Sequence, residues 1–344
     1  MDKRNSHVPR SKSILVTGGA GFIGSHLCEK LLIENAEISV FDNFCTGKID
    51  NLKNVKKDIQ IITGNINNFE EISNAVRGNN IVIHQAFPYG VATRELDKQF
   101  VEDGAIGTYN ILRASVEHDI ERVAYASTVA VYGRQMYTPI DENHPKNPFL
   151  PYGATKLLGE LYCSTMNNVF GLDTVSLRYF NVYGPRYATF DHSAMIHFLE
   201  RVIQNQCPLI YGDGSQVRDY TYIDDIVQGT ILALKIDNTK GKIYNIAEGQ
   251  GIKIIDLAKK IIEISGKTLE PRFAEINEYK TIEKGLPYGI TQKIGDKYLD
   301  TRKYVANIEN AITDLGYKPN TDFDYGIKKT YEWLLEQKSQ KVAL

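Results

Sequence analysis

Tyr152 and Lys156 are the residues of this sequence whose types and spacing could move a proton. They are four residues apart in a stretch with helical periodicity, so they would share one face of a helix. A phenol has a pKa of about 10 and is a weak base at neutral pH, but a nearby positive charge favours the phenolate. The pair could therefore exchange a proton with an alcohol. A Tyr/Lys pair on a solvated helix surface is the alternative.

Two hydroxyls lie upstream, at the end of an apolar run that predicts a buried strand. Ser127 and Thr128 precede Tyr152 by about 25 residues, and ligands bind beyond the carboxyl ends of parallel strands. The two hydroxyls could bind a substrate oxygen in the cleft that holds Tyr152. Hydroxyls that only cap a turn are the alternative. The predicted catalytic residues are Tyr152, Lys156, Thr128 and Ser127.

A glycine-rich turn near the start of the chain predicts where a nucleotide would bind. The apolar run 13–17 leads into Gly18, Gly21 and Gly24, and a helical stretch follows at once. Strand, tight turn and helix in this order let the backbone approach a pyrophosphate, with free N–H groups at the helix start. Asp42 lies about 20 residues further on, where a carboxylate binds the ribose. The segment predicts a dinucleotide site, and a glycine-rich turn without a ligand is the alternative.

Composition excludes several classes of protein. The chain has 344 residues, a net charge of -2, 42% hydrophobic and 24% charged residues, so neither nucleic acid nor an anionic membrane is expected as a partner. No apolar run has the length of a membrane span. The four cysteines are scattered without metal-ligand spacing, so we expect no metal, reduced thiols and a cytoplasmic location. Residues 1–12 are basic, lack the apolar core of a signal peptide and are predicted to be a disordered tail.

Apolar runs alternate with helical stretches through the first half of the chain. This alternation predicts an α/β fold, a doubly wound parallel sheet of the Rossmann type. After about residue 183 the pattern is less regular and predicts a smaller mixed α/β substrate lobe. The predicted domains are 13–183 for the dinucleotide and 184–338 for the substrate, with parts of 220–250 packing back on the first domain. The predicted strands are 13–17, 37–41, 59–63, 81–84, 122–127 and 174–179, and the predicted helices are 25–34, 69–77, 103–118 and 152–169.

Together these motifs resemble the extended short-chain dehydrogenase/reductase family, and within it the nucleotide-sugar epimerases and dehydratases. The resemblance covers roughly residues 13–335. It implies NAD as the cofactor, because a carboxylate at Asp42 would repel the 2′-phosphate of NADP. Besides the glycine turn and Asp42, the resemblance depends on His84 and on the segments Ser127–Gly133, Tyr152–Lys156, Arg178–Arg186 and Tyr211–Tyr220.

The resemblance also implies a role for each matching residue. Tyr152 matches the catalytic base, Lys156 matches its partner, which also holds the nicotinamide ribose, and Thr128 matches the hydroxyl on the reacting oxygen. The implied cofactor-binding residues are Gly18, Gly21, Phe22, Ile23, Gly24, Asp42, Asn43, Asn65, Ile66, Ala86, Tyr152, Lys156, Tyr179 and Val182. The implied substrate-binding residues are Thr128, Asn181, Arg186 and Arg218, and a guanidinium suits a diphosphate because it forms paired hydrogen bonds.

The two residues after Thr128 favour one reaction within the family. The 4,6-dehydratases carry an Asp-Glu pair there, and the UDP-glucuronate decarboxylases usually keep the glutamate. This chain has Val129 and Ala130, which cannot transfer a proton. The resemblance therefore implies a 4-epimerase that inverts a UDP-sugar, of the glucose, N-acetylglucosamine or glucuronate type, through a transient 4-keto sugar. A dehydratase, decarboxylase or keto reductase is the alternative, and a non-catalytic NAD-binding protein would have lost the Tyr/Lys pair.

The predicted partners are a nucleotide sugar and a second copy of the chain. Family members typically dimerise through two helices, so the resemblance implies a homodimer through the helices 103–118 and 152–169.

Four departures from the family pattern concern the substrate. Phe87 stands where the family usually has alanine and adds bulk near the nicotinamide side of the cleft. Gly104 stands where an asparagine is common, and Asn65 replaces a common aspartate. A second diphosphate-binding arginine, expected near residue 290, is absent. Lys293 or Arg186 could supply its charge, or the substrate is not an ordinary UDP-hexose.

Overall fold

A computed structural model of the chain describes residues 12–87, 98–148, 150–187, 193–274, 292–294, 297–299 and 303–342. Of the predicted tail, only Lys12 falls within these ranges. All six predicted strands are present, each within one residue of its predicted bounds: β1 (Ser13–Thr17), β2 (Glu37–Asp42), β3 (Gln60–Thr63), β4 (Ile81–His84), β5 (Arg122–Thr128) and β6 (Thr174–Tyr179). The later strands are β7 (Asn181–Tyr183), β8 (Leu209–Ile210), β9 (Val217–Tyr222), β10 (Ile243–Ile246), β11 (Gly251–Lys253), β12 (Arg272–Phe273), β13 (Gln292–Ile294), β14 (Lys297–Leu299) and β15 (Lys303–Tyr304).

The four predicted helices are present, and others follow in the second half of the chain. The helix predicted at 103–118 starts earlier, at Lys98, because a π-helical segment (Glu102–Gly107) joins the α-helical stretch Lys98–Val101 to the stretch Thr108–Glu117. The helices are α1 (Phe22–Ile33), α2 (Phe69–Val76), α3 (Lys98–Val101), α4 (Thr108–Glu117), α5 (Pro151–Phe170), α6 (Ala194–Ile203), α7 (Ile223–Lys235), α8 (Ile254–Ser265) and α9 (Phe323–Val342).

Seven parallel strands form the main sheet, in the order β10-β6-β5-β4-β1-β2-β3. The chain moves outward from β1 to β3 and then returns to place β4 on the other side of β1. This reversal leaves a crevice at the carboxyl ends of β1 and β4, which is where ligands bind in open α/β sheets. The predicted doubly wound fold is confirmed. The sequence did not identify the edge strand β10, whose Ile243 pairs with Ser176 of β6.

Alternate residues of the central strands face opposite sides of the sheet. Ile14 and Val16 of β1 lie in a core that also holds residues of α1 and α7, whereas Leu15 lies in a second core with residues of α2, α4 and α5. All three side chains are fully buried. A parallel sheet covered on both faces requires such unbroken apolar strands, and burial fixes the register that brings the strand ends together.

The remaining strands form smaller mixed sheets. Strand β9 pairs antiparallel with β11 and parallel with both β7 and β15. A single residue, Phe180, separates β6 from β7, so the main sheet continues directly into the part of the chain that carries Arg218. Within the described ranges, no helix is both long enough and apolar enough to cross a lipid bilayer.

Candidate active site

The turn between β1 and α1 requires glycine at two positions. Gly18 has a φ of +70°, and a Cβ on it would lie 2.6 Å from the backbone N of Ala86. A Cβ on Gly24 would lie 2.3 Å from the backbone O of Gly18. The first close approach brings the end of β4 against the turn, and the second allows α1 to start directly on it. The turn is therefore a cradle of bare backbone.

The first turn of α1 offers backbone N–H groups to this cradle. Gly21 is the N-cap, no side chain accepts a hydrogen bond at this helix end, and the first turn holds no acidic residue. Such a helix start carries a partial positive charge and unpaired donors, which suit a pyrophosphate. Phe22 and Ile23, both predicted to bind the cofactor, are the first residues of α1 and provide two of these donors.

Asp42 lies beside the cradle, at the end of β2. Its Oδ2 accepts a hydrogen bond of 2.9 Å from the N–H of Ala20, and its Oδ1 accepts one of 2.8 Å from the N–H of Phe44. Burial raises the pKa of this carboxyl, and the two backbone donors oppose that rise. A carboxylate has about four acceptor sites, so two bonds leave capacity for the hydroxyls of a ribose. The bare cradle and this carboxylate together fit NAD.

Four further residues predicted to bind the cofactor follow the ends of neighbouring strands. Asn43 follows β2, Asn65 and Ile66 follow β3, and Ala86 follows β4. The carboxyl ends of parallel strands share one edge of the sheet, so these residues lie at the same edge as the glycine turn. Both asparagine side chains accept hydrogen bonds from backbone N–H groups two residues on, which fixes the loops that follow these strands.

Tyr179 and Val182, also predicted to bind the cofactor, end in different surroundings. The hydroxyl of Tyr179, at the end of β6, accepts a hydrogen bond of 3.1 Å from Gln85 and shares one of 2.8 Å with Thr230 of α7. Val182 lies in β7, paired with Thr221 of β9. Tyr179 therefore lies at the carboxyl end of β6 in the main sheet, and Val182 lies in the smaller sheet that contains β9.

Tyr152, Thr128 and Lys156 meet where β5 ends and α5 begins. Tyr152 is the second residue of α5, and its hydroxyl is hydrogen-bonded to Thr128, the last residue of β5. Lys156 lies one turn further along the same face of α5 and is only 3% exposed. Its Nζ donates a hydrogen bond of 2.7 Å to the carbonyl of Ala126. One strand end and one helix start thus assemble the three residues that could transfer a proton.

The pKa values at this site differ from the sequence expectation. Burial raises the pKa of Tyr152, and the hydrogen bond with Thr128 opposes that rise. Burial lowers the pKa of Lys156 to about 7, while Cys163 and Glu160 oppose that fall. We expected the ammonium of Lys156 to lower the pKa of the phenol, but in the protein chain alone burial is the larger effect. A further positive charge near Tyr152, as on oxidised nicotinamide, is what favours the phenolate.

Ser127 is not part of this group. Its side chain is buried, and its hydroxyl donates a hydrogen bond of 2.5 Å to Oε1 of Glu160. Glu160 also accepts hydrogen bonds of 2.8 and 2.6 Å from the guanidinium of Arg178. Ser127 pairs in register with Arg178 of β6 and so meets the buried ion pair, whereas Thr128, the last residue of β5, lies near the start of α5, where Tyr152 is. The structure thus places Ser127 apart from Tyr152, and its part in catalysis stays a prediction.

Two of the residues predicted to bind the substrate are held side by side by β7 and β9. Nδ2 of Asn181 donates a hydrogen bond of 2.9 Å to the carbonyl of Asp219, the residue after Arg218. The guanidinium carbon of Arg218 lies 5.5 Å from the ring centroid of Tyr304, its neighbour on β15. An aromatic ring beneath a guanidinium orients its plane, and an oriented guanidinium can bind a diphosphate with two parallel hydrogen bonds.

Arg186, the other predicted substrate ligand, is engaged with α1. Its guanidinium donates a hydrogen bond of 2.6 Å to Glu29 and one of 3.2 Å to Ser25. This ion pair is largely buried and ties the segment after β7 to the helix that starts at the glycine turn. The structure therefore places Arg186 in this contact with α1, and its binding to a diphosphate stays a prediction. The side chain of Lys293 lies outside the described part of the chain.

Three residues at the site were missed or only partly read from the sequence. Glu160 is one helical turn beyond Lys156, so the spacing could have revealed it. No pattern in the sequence pointed to Tyr304, because it contacts Arg218 from a strand that is distant along the chain. Phe87 was noted for its bulk, but its contact with Lys156 was not foreseen. His84 helped to support the resemblance. In the structure its side chain is buried, burial lowers its pKa, and both of its ring nitrogens form hydrogen bonds with threonine hydroxyls. His84 is therefore neutral and connects neighbouring strands with α4.

Comparisons with known proteins agree with this geometry. Residues 14–247 match the model of the NAD dependent epimerase/dehydratase family. The chain is 35% identical over 337 residues to a putative UDP-glucose 4-epimerase of Methanocaldococcus jannaschii. The aligned region covers 93% of this chain and 98% of that protein. It is 31% identical over 339 residues to a UDP-N-acetyl-alpha-D-glucosaminuronate decarboxylase of Bacillus cytotoxicus, with 94% and 98% covered.

A solved structure extends the likeness to the cofactor. The crystal structure of UDP-glucuronic acid 4-epimerase from Bacillus cereus, in complex with UDP-glucuronic acid and NAD, has a TM-score of 0.80 and 30% identity. The match covers 95% of this chain and 99% of that one. The predicted cofactor is thus confirmed, and this chain belongs to the NAD-dependent epimerase/dehydratase family of enzymes.

Proposed function

We propose that this enzyme is a UDP-sugar 4-epimerase. The observation that carries the proposal is the hydrogen-bonded pair of Tyr152 and Thr128, backed by Lys156, next to two residues that cannot transfer a proton. Val129 and Ala130 begin the 3-10 helix that follows β5, and the N–H of Ala130 donates a hydrogen bond of 3.2 Å to the Thr128 hydroxyl. The site therefore has the groups needed to oxidise and re-reduce a carbinol, and none at these two positions to eliminate water.

Each residue of this group has a separate task in the proposed reaction. Thr128 orients the C4 hydroxyl of the sugar, and Tyr152 accepts its proton and later returns it. Lys156 supplies positive charge beside the phenol and binds the nicotinamide ribose. NAD, when bound, accepts the hydride from C4 and gives it back, so there is no net redox change.

Inversion requires that the 4-keto sugar turns over while its nucleotide stays bound. In this proposal Arg218 and Asn181 hold the diphosphate, because they lie side by side on β9 and β7. The sugar then rotates about the bonds to the diphosphate and presents its other face. We assign this holding role to Asn181 together with the lobe formed by residues 184–338, and the dinucleotide to the rest of residues 13–183 together with β10.

A decarboxylase is the second candidate, because one relative carries that name. The buried acid on the same face of α5, Glu160, does not favour elimination chemistry, since Arg178 and Ser127 already engage both of its oxygens. The choice between an epimerase and a decarboxylase can be made directly from the products.

The test is to incubate the purified enzyme with NAD and, separately, UDP-glucose, UDP-N-acetylglucosamine and UDP-glucuronate. Proton NMR of the products should show the C4 epimer of one of these sugars and no net change in NADH. Loss of carbon dioxide, an elimination product or stoichiometric NADH consumption would replace the proposal with the corresponding alternative. The Tyr152→Phe enzyme, treated identically, is the matched control.

We further propose that the enzyme is a cytoplasmic homodimer. Large apolar side chains are exposed along α4 and α5: Tyr109 is 41% exposed, Leu161 58%, Val169 67% and Phe170 59%. Tyr109 and Tyr162 also stack edge to face across the two helices, with centroids 5.6 Å apart. Such a row of apolar groups on neighbouring helices suits a symmetric four-helix contact. All four cysteines are free thiols, which supports a reducing compartment.

A further inference from the structure

Phe87 places one aromatic ring against both members of the proton-transfer pair. Its ring centroid lies 4.5 Å from Nζ of Lys156 and 5.1 Å from the ring centroid of Tyr152, which it meets edge to face. A cation above an aromatic face is attracted to it, and the attraction is strongest where water is excluded. Because Lys156 is 3% exposed, the contact is of this desolvated kind.

The ring of Phe87 fits because residue 104 has no side chain. Gly104 is buried in the π-helical segment, and a Cβ on it would lie 2.8 Å from Cε2 of Phe87 and 2.9 Å from Cβ of Thr155. Gly104 does not have a left-handed φ, so glycine is required here for space alone. Any larger residue would push the ring away from Lys156.

Two departures that the sequence showed separately are thus one contact in space. Phe87 replaces a common alanine, and Gly104 replaces a common asparagine, 17 positions later. A ring at position 87 and a side chain at position 104 would occupy the same volume. In this chain the aromatic ring at position 87 therefore depends on a residue without a side chain at position 104.

Among the described residues, the ammonium of Lys156 has few other groups to offset its burial. It donates to the carbonyl of Ala126 at 2.7 Å, and the ring of Tyr125 lies 5.0 Å away. Burial keeps the nearby His84, Tyr125 and Cys163 neutral, and Arg178 balances the charge of Glu160. Within the described part of the chain, the titratable groups around the amine are Tyr152, Glu160 and Cys163 on α5, Tyr125 on β5 and His84 on β4.

We infer that Phe87, seated in the space that Gly104 leaves open, is a positioning residue that keeps the amine of Lys156 charged and in place beside Tyr152. Phe87 acts through Lys156 and need not touch the substrate. The inference rests on the proposed function in that Tyr152 and Lys156 must be the proton-transfer pair. The contact itself exists without substrate, so it can be tested in the absence of turnover.

The first test measures the charge of Lys156 directly, by NMR titration of ¹³Cε-lysine-labelled protein without substrate. The Lys156 signal is assigned by its absence in Lys156→Met. In Phe87→Leu, which keeps the apolar volume but removes the aromatic face, the pKa of Lys156 should fall by about half a unit to one unit. Phe87→Tyr should restore it. An unchanged pKa in Phe87→Leu would overturn the inference, whatever reaction the enzyme performs.

A matched control uses another aromatic ring beneath a cation. Phe69 lies 3.9 Å from the guanidinium of Arg113, and Phe69→Leu should leave the pKa of Lys156 unchanged. If both leucine variants lower the pKa equally, the effect is a general loss of packing and the inference fails.

The second test asks whether positions 87 and 104 are coupled in turnover. Phe87→Leu should lower kcat about 3- to 10-fold with little change in KM, and the loss of kcat at high pH should begin at lower pH, because a less stabilised ammonium deprotonates earlier. Gly104→Asn should be worse, because its side chain displaces the ring. The double variant that carries both Phe87→Ala and Gly104→Asn should have a higher kcat and a higher thermal stability than the single variant Gly104→Asn. Purely additive losses would contradict the pairing of the two positions, and if Gly104→Asn does not fold, Phe87→Leu still decides the case.

Discussion

Oγ of Ser127 donates a hydrogen bond of 2.5 Å to Oε1 of Glu160, the carboxylate one helical turn beyond Lys156 on α5. Its neighbour Thr128 is bonded to the phenol of Tyr152 instead. Two adjacent hydroxyls at one strand end therefore have different partners: one bonds to the buried ion pair of Glu160 and Arg178, and the other bonds to Tyr152.

This division predicts opposite effects for two small substitutions. Thr128→Val should lower kcat/KM about 100-fold, because it removes the hydroxyl that orients the reacting oxygen and bonds with Tyr152. Ser127→Ala should keep kcat within a few-fold and lower the free energy of unfolding by about 1–2 kcal/mol, since it deletes a bond to a buried charge. Steady-state kinetics and urea unfolding of both variants measure this, and a large loss of kcat in Ser127→Ala with normal stability would reinstate Ser127 as catalytic.

Tyr152→Phe should lower kcat about 1,000-fold, because no other described group at the strand end can exchange the proton. The substitution removes one oxygen and keeps the ring against Phe87, so NAD binding should change no more than a few-fold. Product NMR gives the first quantity, and fluorescence titration with NADH gives the second. Turnover within tenfold of the parent enzyme would remove Tyr152 from the mechanism.

Lys156→Met should abolish useful turnover and yet stabilise the protein. Burial lowers the pKa of Lys156 to about 7 from an ordinary 10.5, so the folded chain binds fewer protons than the unfolded chain between these values. The destabilisation from the buried charge is complete below about pH 7 and vanishes above about pH 10.5. The variant should therefore exceed the parent by about 1–3 kcal/mol at pH 6 and approach it near pH 10. Thermal unfolding across this range tests the sign, and a difference that grows with pH would contradict it.

Arg218 and Arg186 should respond differently to removal of the guanidinium. Arg218→Ala should raise KM for the UDP-sugar at least tenfold, because it deletes paired bonds to the diphosphate. Arg186→Ala should leave KM for the sugar nearly unchanged and lower stability, because it leaves Glu29 without its partner in a largely buried position. Kinetics with varied UDP-sugar and thermal unfolding separate the two, and matching rises in KM would assign both arginines to the substrate.

Leu161→Glu should convert the proposed homodimer into a monomer. Leu161 is 58% exposed on α5, so the folded chain should tolerate a carboxylate at this position. The same carboxylate would be buried without a partner in an apolar contact with a second copy and should destabilise the dimer. Sedimentation velocity at micromolar concentration measures the change. Ile33 is 74% exposed on α1, which packs in the other core of the main sheet, and gives a control in Ile33→Glu, which should stay dimeric. A monomeric parent enzyme would end the dimer proposal.

Several features of the site could be predicted because they depend on neighbours in sequence. The spacing of Gly18, Gly21 and Gly24 required a bare turn, and the structure shows where a Cβ would collide. The four-residue spacing of Tyr152 and Lys156 placed both on one face of α5. The strand bounds followed from apolar runs that a parallel sheet buries on both faces.

Other features depended on segments that are far apart along the chain. Alternation along β5 required Ser127 and Thr128 to face apart, but only the packing of α5 and β6 decided which one met Glu160 and Arg178. The seventh strand, β10, is a short run whose place at the sheet edge was set by its pairing with β6.

The sequence by itself determined the periodicity of the elements, the glycine turn that forms a cradle of bare backbone and the placement of Tyr152 and Lys156 on one face of a helix, because each is encoded in short-range spacing and residue type. Only the tertiary structure decided that Arg186 meets Glu29, that Tyr304 lies beneath Arg218, and that the ring of Phe87 occupies the space over Gly104. Those contacts join segments between about 17 and 160 positions apart, and the partner of a side chain at such separations is fixed by how the layers pack, which no local pattern records.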